Sequence, residues 1–172
     1  RVAVSATLAP EEDLFIEQRR IRDAARGGPF AAVAELELAR RHLTRGQGNQ
    51  ALALYETLEQ KCPWLVCVLY SEMGVAHAMD ENGAEALTCF ERAVEHTTSQ
   101  AMATLKETSE MLMGAAYWAF WSTVDNLSAR QCQNHAWLAG LYSACGQMAK
   151  ARKHLQQSLH YLDSDELGEA AA

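Results

Sequence analysis

Apolar residues recur every three or four positions along most of this 172-residue chain. That period is typical of helices that bury one face and leave the other in water. The segments between them are short and contain glycine or proline, as at Gly46 to Gly48 and at Pro63. Ala, Leu, Glu and Gln are abundant, which favours helix over sheet. The pattern predicts an all-α protein whose consecutive helices lie antiparallel.

Helix boundaries follow from these apolar runs and their breaks. The predicted helices cover about Glu11–Ala25, Phe30–Thr44, Asn49–Lys61, Ala101–Trp121, Val124–Gln133 and Met148–Leu162. Residues 101–131 fit the pattern least, and we expect a long helix followed by a poor second helix that is broken at Asp125 to Ser128. The acidic residues 164–172 are predicted to form a frayed tail.

A pair of small residues, twelve positions apart, occurs three times in the chain. The pairs are Ala39 and Ala51, Gly74 and Ala86, and Ala139 and Ala151. Two helices of a hairpin can cross closely where both carry a small side chain, and a larger one would push them apart. A large apolar residue precedes each first member (Leu38, Met73, Leu138), and another follows each second member by one turn (Tyr55, Phe90, Leu155). We expect the latter three to reach into the neighbouring hairpin.

These positions resemble the tetratricopeptide repeat, a helix–turn–helix unit of about 34 residues. The family's tryptophan position holds Glu35, Tyr70 and His135 instead, and only the first copy has the closing proline, Pro63. The resemblance implies an all-α, right-handed solenoid of helical hairpins, here with an additional N-terminal helix in residues 1–28. The repeat domain would span 29–163, with units at about 30–65, 66–100 and 132–163 and a degenerate unit at 101–131.

Charge and cysteine content narrow the possible partners and the compartment. The net charge is −7, and residues 46–172 hold seven basic against fifteen acidic residues. An acidic body argues against nucleic acid as the main partner, because phosphate binding needs a positive face. The most apolar run, Met111 to Trp121, is too short to span a membrane. Five scattered cysteines favour unpaired thiols in a reducing compartment, so we expect a cytoplasmic protein.

Candidate chemistry is sparse. The nucleotide-binding and hydrolase motifs are missing, so we expect neither an enzyme nor a cofactor. His42 and His77 occupy equivalent repeat positions and are interpreted as packing residues rather than metal ligands. Cys132 and His135 lie on one predicted helix without an orienting acid, which makes a nucleophile–base pair improbable.

A binding surface is expected on the inside of the solenoid, lined by the first helix of each hairpin. The family's groove positions correspond to Val33, Leu36, Arg40, Leu43, Val68, Ser71, Val75, Met79, Ala136, Gly140 and Ser143. Most of them are apolar, which suits an amphipathic or extended apolar segment of a protein partner. Val68 and Val75 could instead pack against the N-terminal helix, and self-association stays open.

The resemblance implies a non-catalytic protein-binding module, which would be an adaptor, a scaffold or a chaperone. Two narrower alternatives remain. The size, acidity, repeats and N-terminal helix are similar to those of bacterial type III translocator chaperones. The chain could also be a sensory or assembly repeat domain of a larger regulator or enzyme. Fold alone does not decide among these roles.

Overall fold

A computed structural model describes residues 29–113 and 127–169 of the chain. The N-terminal helix predicted at Glu11 to Ala25 lies outside these residues, as does the first half of the break predicted at Asp125 to Ser128, whereas Leu127 and Ser128 are helical. Within the described ranges the secondary structure is entirely helical. The elements are α1 Pro29–Thr44, α2 Gly48–Lys61, a 3-10 turn Pro63–Leu65, α3 Val66–Met79, α4 Gly83–His96, α5 Ser99–Met113, α6 Leu127–Ala144 and α7 Met148–Glu169.

The close crossing of paired helices is confirmed at all three predicted positions. Helices α1 and α2, α3 and α4, and α6 and α7 contact each other as hairpins. The small residues between them are buried: Ala39, Ala51 and Ala86 have no exposed surface, and Gly74, Ala139 and Ala151 are also buried. The all-α, tetratricopeptide-like fold predicted from the sequence is therefore present.

The turn inside each hairpin uses a residue with positive φ at the same repeat position. These residues are Gly46 at 71°, Glu81 at 60° and Gly146 at 72°. In the first turn the N–H of Gly46 donates to Leu43 O and the N–H of Gln47 donates to His42 O. Glycine adopts this left-handed conformation without a Cβ penalty, whereas Glu81 does not. The middle hairpin therefore carries backbone strain that the outer two avoid.

The three hairpins stack in sequence order, because α2 packs on α3 and α4 packs on α6. The aromatic residues predicted to bridge hairpins do so. Tyr55 Oη donates to Glu72 Oε2 of α3 at 3.4 Å, and the ring of Phe90 stacks on Trp137 of α6. Leu155 occupies the same position in the last hairpin and is 53% exposed.

The region between the second and third hairpins differs from the prediction. Helix α6 runs unbroken from Leu127 to Ala144, across the boundary expected between a helix ending at Gln133 and a unit beginning at 132. Its start is tied to the end of α4, since Gln131 Nε2 donates to Thr97 O at 2.6 Å and to Val94 O at 3.2 Å. The third hairpin thus follows the second directly in the stack.

Helix α5 lies beside the stack instead of continuing it. It contacts α1 and the 3-10 turn, and its Met102 and Leu105 join the buried cluster that contains Leu36 and Val68. The acidic residues predicted as a tail from 164 also differ from expectation, because α7 continues to Glu169.

Candidate binding groove

The predicted groove residues of the first two hairpins are mostly inaccessible. Leu36 and Val68 have no exposed surface, while Leu43 and Ser71 are 8% and 6% exposed. Helix α5 contributes to this burial through Leu105, which belongs to the same apolar cluster. The side chain of Val33 lies outside the described part. A partner could reach the four buried residues only by displacing neighbouring parts of the chain.

Arg40, the charged member of the predicted groove, is held in an ion-pair network. Its Nε and Nη2 donate to Glu72 Oε1 at 3.1 and 2.9 Å, and its Nη1 donates to Glu37 Oε1 at 3.0 Å. Burial by itself lowers the pKa of Arg40, but the two carboxylates outweigh this effect and the pKa is raised. Burial and the negative charge of Glu72 also raise the pKa of Tyr55. Glu72 therefore connects α1, α2 and α3.

Arg130 brings the third hairpin into the same network. Its side chain is 6% exposed, its Nη1 donates to Val68 O at 3.5 Å, and its Nη2 lies 3.9 Å from Glu72 Oε1. Burial lowers the pKa of Arg130, and Glu72 opposes that shift. The Arg130 guanidinium therefore occupies space beside Val68 of α3, where a partner was predicted to bind.

The third hairpin retains an open apolar surface on α6. A shallow cavity of about 300 Å³ is lined by Gln133, Ala136, Trp137, Gly140 and Leu141. We call this surface the α6 groove. Ala136 and Gly140 were predicted as groove residues, and both are exposed. A Cβ added to Gly140 would meet no atom within 4 Å, so the groove is open above it.

Trp137 gives this groove a rigid aromatic wall. Its ring stacks on Phe90 of α4 at 5.4 Å with an interplanar angle of 9°, and the side chain is 37% exposed. One face of the indole is thereby fixed by the core, which leaves the remainder available for contact. Aromatic side chains held in this way supply much of the affinity at protein interfaces.

The remaining predicted residues are divided between two places. Met79 is 48% exposed at the end of α3, and Val75 is half-buried against both apolar clusters. Ser143 is exposed but lines a separate cavity of about 260 Å³, together with Ala139, Met148, Ala151, Arg152 and Leu155. The predicted groove is thus not a single continuous surface.

Three lining residues were missing from the sequence prediction: Gln133, Trp137 and Leu141. Gln133 stands three positions before Ala136, and Leu141 directly follows Gly140, so helix periodicity could have indicated both. Trp137 carried the clearest signal, because tryptophan in an otherwise small and polar stretch often marks a contact site. Its stacking partner Phe90 lies 47 positions earlier, which periodicity does not reveal.

Cys132 and His135 of α6 each contact a residue of α7. His135 Nδ1 lies 2.9 Å from His154 Nδ1, so one imidazole donates to the other. Burial, followed by the charges of His154 and Lys153, lowers the pKa of His135 to about 4. The Cys132 thiol lies 3.3 Å from Ser158 Oγ, and burial raises the pKa of the Cys67 and Cys89 thiols.

Residues 29–113 and 127–169 contain no group of three or more His, Cys, Asp or Glu side chains placed to hold a metal ion. Of the helices described, none has the length and apolar character needed to cross a membrane.

Comparison with known proteins yields structural likeness but no sequence match. No protein-family model matches the chain, and no curated protein sequence matches it. The crystal structure of MamA is similar over 92% of this chain and 98% of that one, with 14% sequence identity and a TM-score of 0.42. The assignment of tetratricopeptide-like hairpins rests on the repeat contacts and buried small residues of the chain itself.

Proposed function

We propose that this chain is a non-catalytic protein-binding module that holds an apolar segment of its partner in the α6 groove. The observation that carries the proposal is the open apolar cavity over Gly140, walled by the fixed ring of Trp137. An apolar side chain of the partner placed in this cavity would be removed from water and would pack against the Trp137 ring, and burial of apolar surface favours binding.

The binding surface is narrower than the one expected from the sequence. Ala136 and Gly140 remain in it, with Met79 as a further exposed apolar residue on α3. Leu36, Leu43 and Val68 serve the core, and Arg40 is engaged by Glu37 and Glu72. The partner would therefore contact mainly the third hairpin, and an amphipathic helix with a narrow apolar stripe fits such a short groove.

The role of the module can be an adaptor, a scaffold or a chaperone, and each uses the same groove. The similarity to type III translocator chaperones and the sensory or assembly role in a larger protein remain predictions, as does the cytoplasmic location. The native open reading frame separates the two narrower roles, because a chaperone would be a short independent chain.

A plugged groove tests the proposal. Gly140→Trp should fill the cavity without a backbone clash, since space above Gly140 is open. Gly140→Ala is the matched control, because it adds a side chain too small to fill the cavity. We expect proteins captured from the native source by the wild type and by Gly140→Ala to be lost with Gly140→Trp, as measured by quantitative mass spectrometry.

Circular dichroism and thermal melting must show that Gly140→Trp remains folded. Equal capture by the wild type and the folded Gly140→Trp variant would refute binding in the α6 groove. Loss of capture with Gly140→Ala as well would point to a change in the helix rather than to a filled cavity.

A further inference from the structure

A stripe of large apolar side chains lies exposed along α7. Met148 is 61% exposed, Leu155 is 53% exposed, and Leu159 and Leu162 are each 52% exposed. At 100° per residue these four positions fall on one side of the helix. We call them the α7 stripe. On the same projection it lies about 60° around α7 from Ala151 and Ser158, the buried residues on the side that faces α6.

Three of the four residues at the same repeat positions in the first hairpin contact the next hairpin. Gly48, which corresponds to Met148, lies against Asp80, whose carboxylate oxygens would be 2.6 Å from an added Cβ. Tyr55, which corresponds to Leu155, donates to Glu72. Glu59, which corresponds to Leu159, accepts a hydrogen bond from Tyr70. This face of α2 is therefore covered by α3.

The second hairpin repeats the arrangement at two of these positions, whereas the space above Gly83, which corresponds to Met148, is open. Phe90, which corresponds to Leu155, stacks on Trp137 of α6. The carbonyl of Val94, which corresponds to Leu159, accepts a hydrogen bond from Gln131. Twice in this chain, then, the face equivalent to the α7 stripe is the docking surface for the first helix of another hairpin.

Charge along the α7 stripe is divided between its two ends. The first half of α7 carries Lys150, Arg152 and Lys153 and no Asp or Glu up to Leu162, whereas four acidic residues follow in 163–169. Arg152 lines a cavity together with Met148 and Leu155. In the earlier hairpins leucines, Leu52 and Leu87, stand at the position of Arg152. A cation beside an apolar stripe favours a carboxylate on the partner.

Helix α3 shows how a largely apolar helix with a single acidic residue fits a face of this kind. It covers the face of α2 and brings Glu72, and Asp80 directly after its end, to Tyr55 and Gly48. The α7 stripe combines the equivalent positions with Arg152 beside Met148 and Leu155, so the matching helix would carry an acidic residue near Arg152.

We propose that the α7 stripe docks an amphipathic helix of a partner protein whose apolar face is bordered by acidic side chains. The helix lies where the first helix of a following hairpin would lie, with leucine-sized side chains on Leu155 and Leu159 and a carboxylate near Arg152. This surface is distinct from the α6 groove and does not depend on the proposed function.

Two synthetic peptides test the docking. Both are 18-residue amphipathic helices with leucines at positions i, i+3, i+4 and i+7. One has glutamates beside the apolar stripe and the other has lysines at the same positions. Fluorescence anisotropy at low ionic strength measures binding to the full chain. We expect the glutamate peptide to bind at least tenfold more tightly than the lysine peptide, with an affinity that falls as salt is added.

Variants of exposed residues locate the site. The double variant Leu155→Gln/Leu159→Gln should lose at least tenfold in affinity for the glutamate peptide. Arg152→Glu should reverse the peptide preference. Lys153→Glu is the matched control, because it makes the same charge change about 100° away around the helix, and it should have a smaller effect. Circular dichroism verifies that each variant is folded, and Gly140→Trp should bind the glutamate peptide like the wild type.

The contrary results are equally definite. Equal binding of the two peptides, or unchanged binding in the Leu155→Gln/Leu159→Gln variant, overturns the proposal. Sedimentation velocity provides a further check: self-association of the wild type that disappears in the leucine variant would assign the α7 stripe to a second copy of this chain. Loss of peptide binding in Gly140→Trp would place the peptide in the α6 groove instead.

Discussion

Gly74 of α3 and Phe90 of α4 meet so closely that a single added carbon would not fit between them. A Cβ on Gly74 would lie 2.9 Å from three atoms of the Phe90 ring. That ring has no exposed surface and is stacked on its other side against Trp137. The contact therefore fixes both the crossing of α3 with α4 and the position of the aromatic wall of the α6 groove.

Gly74→Ala should destabilise the protein even though alanine favours helix more than glycine does. We expect the free energy of unfolding to fall by about 1–3 kcal/mol, because the ring cannot move away without strain. Gly140→Ala is the matched control in the equivalent first helix, where the added methyl enters open space. It should raise stability by about 0.5–1 kcal/mol. Urea denaturation measures both, and a stabilising Gly74→Ala would show that the contact is looser than described.

Leu36→Glu and Met79→Glu should have opposite consequences, although both positions were predicted to line the groove. Leu36 has no exposed surface, so the substitution buries an unpaired charge and should cost at least about 4 kcal/mol. Met79 is 48% exposed, and its substitution should change stability by less than about 0.5 kcal/mol. Thermal melting compares the two. If the Leu36→Glu protein were as stable as the wild type, Leu36 would have to be exposed in the groove, contrary to its buried position here.

Glu72→Gln should be more harmful than Glu37→Gln. Glu72 is 16% exposed and faces the guanidinium groups of both Arg40 and Arg130, so removing its charge leaves two buried cations less compensated. We expect a loss of about 3–5 kcal/mol. Glu37 is 25% exposed and pairs with Arg40 within one helix, so its substitution should cost about 0–1 kcal/mol. Similar losses in urea denaturation would mean that Glu72 does not hold the network together.

Glu81→Gly should stabilise the second hairpin. Glu81 has a φ of 60°, and glycines stand at the corresponding turn positions of the other two hairpins. Replacement by glycine removes a penalty of about 1–2 kcal/mol for the left-handed conformation, which raises the free energy of unfolding. The larger conformational entropy of glycine in the unfolded chain offsets part of this increase. We expect a net rise in the melting midpoint. Gly46→Ala, the converse change, should lower it; parallel shifts in the two variants would contradict this account.

Acid should weaken the α6–α7 hairpin through its histidine pair. Burial, His154 and Lys153 lower the pKa of His135 to about 4, and burial and Lys153 also lower the pKa of His154. In the unfolded chain both imidazoles take up protons below about pH 6.5. Because the folded state binds fewer protons, the free energy of unfolding should fall as the pH decreases from about 6.5 towards 4.

Urea denaturation at several pH values measures this effect. The variant His135→Gln/His154→Gln should show a shallower fall of stability with acid than the wild type. The same slope in both proteins would exclude the pair as the source.

Local pattern was enough to predict the hairpins. A pair of small residues twelve positions apart, such as Ala39 and Ala51, indicates a close crossing of two helices. That crossing depends only on side-chain size and on the helix period. The bridging of Tyr55 and Phe90 to the next hairpin followed from the same register. Helices α1 and α2 begin and end within a residue of the prediction for the same reason.

The candidate site was predicted only in part, because exposure depends on what packs against a helix. Leu36 and Gly140 occupy comparable faces of α1 and α6 and look alike to a periodicity argument. Leu36 shares a buried cluster with Leu105 of α5, whereas Gly140 borders open space. That difference arises from the packing of two helices whose residues in this cluster stand 69 positions apart.

By itself, then, the sequence determined the repeated hairpin and the residues that close it, since these depend on neighbours within one unit. Tertiary structure decided that α6 follows α4 in the stack, that α5 leaves the stack to pack on α1, and that apolar surface stays open on α6 and α7. The physical reason is that a helix face is buried only where another helix packs against it. Which helices pack together depends on contacts between residues far apart in the sequence, such as the hydrogen bond from Gln131 to Thr97.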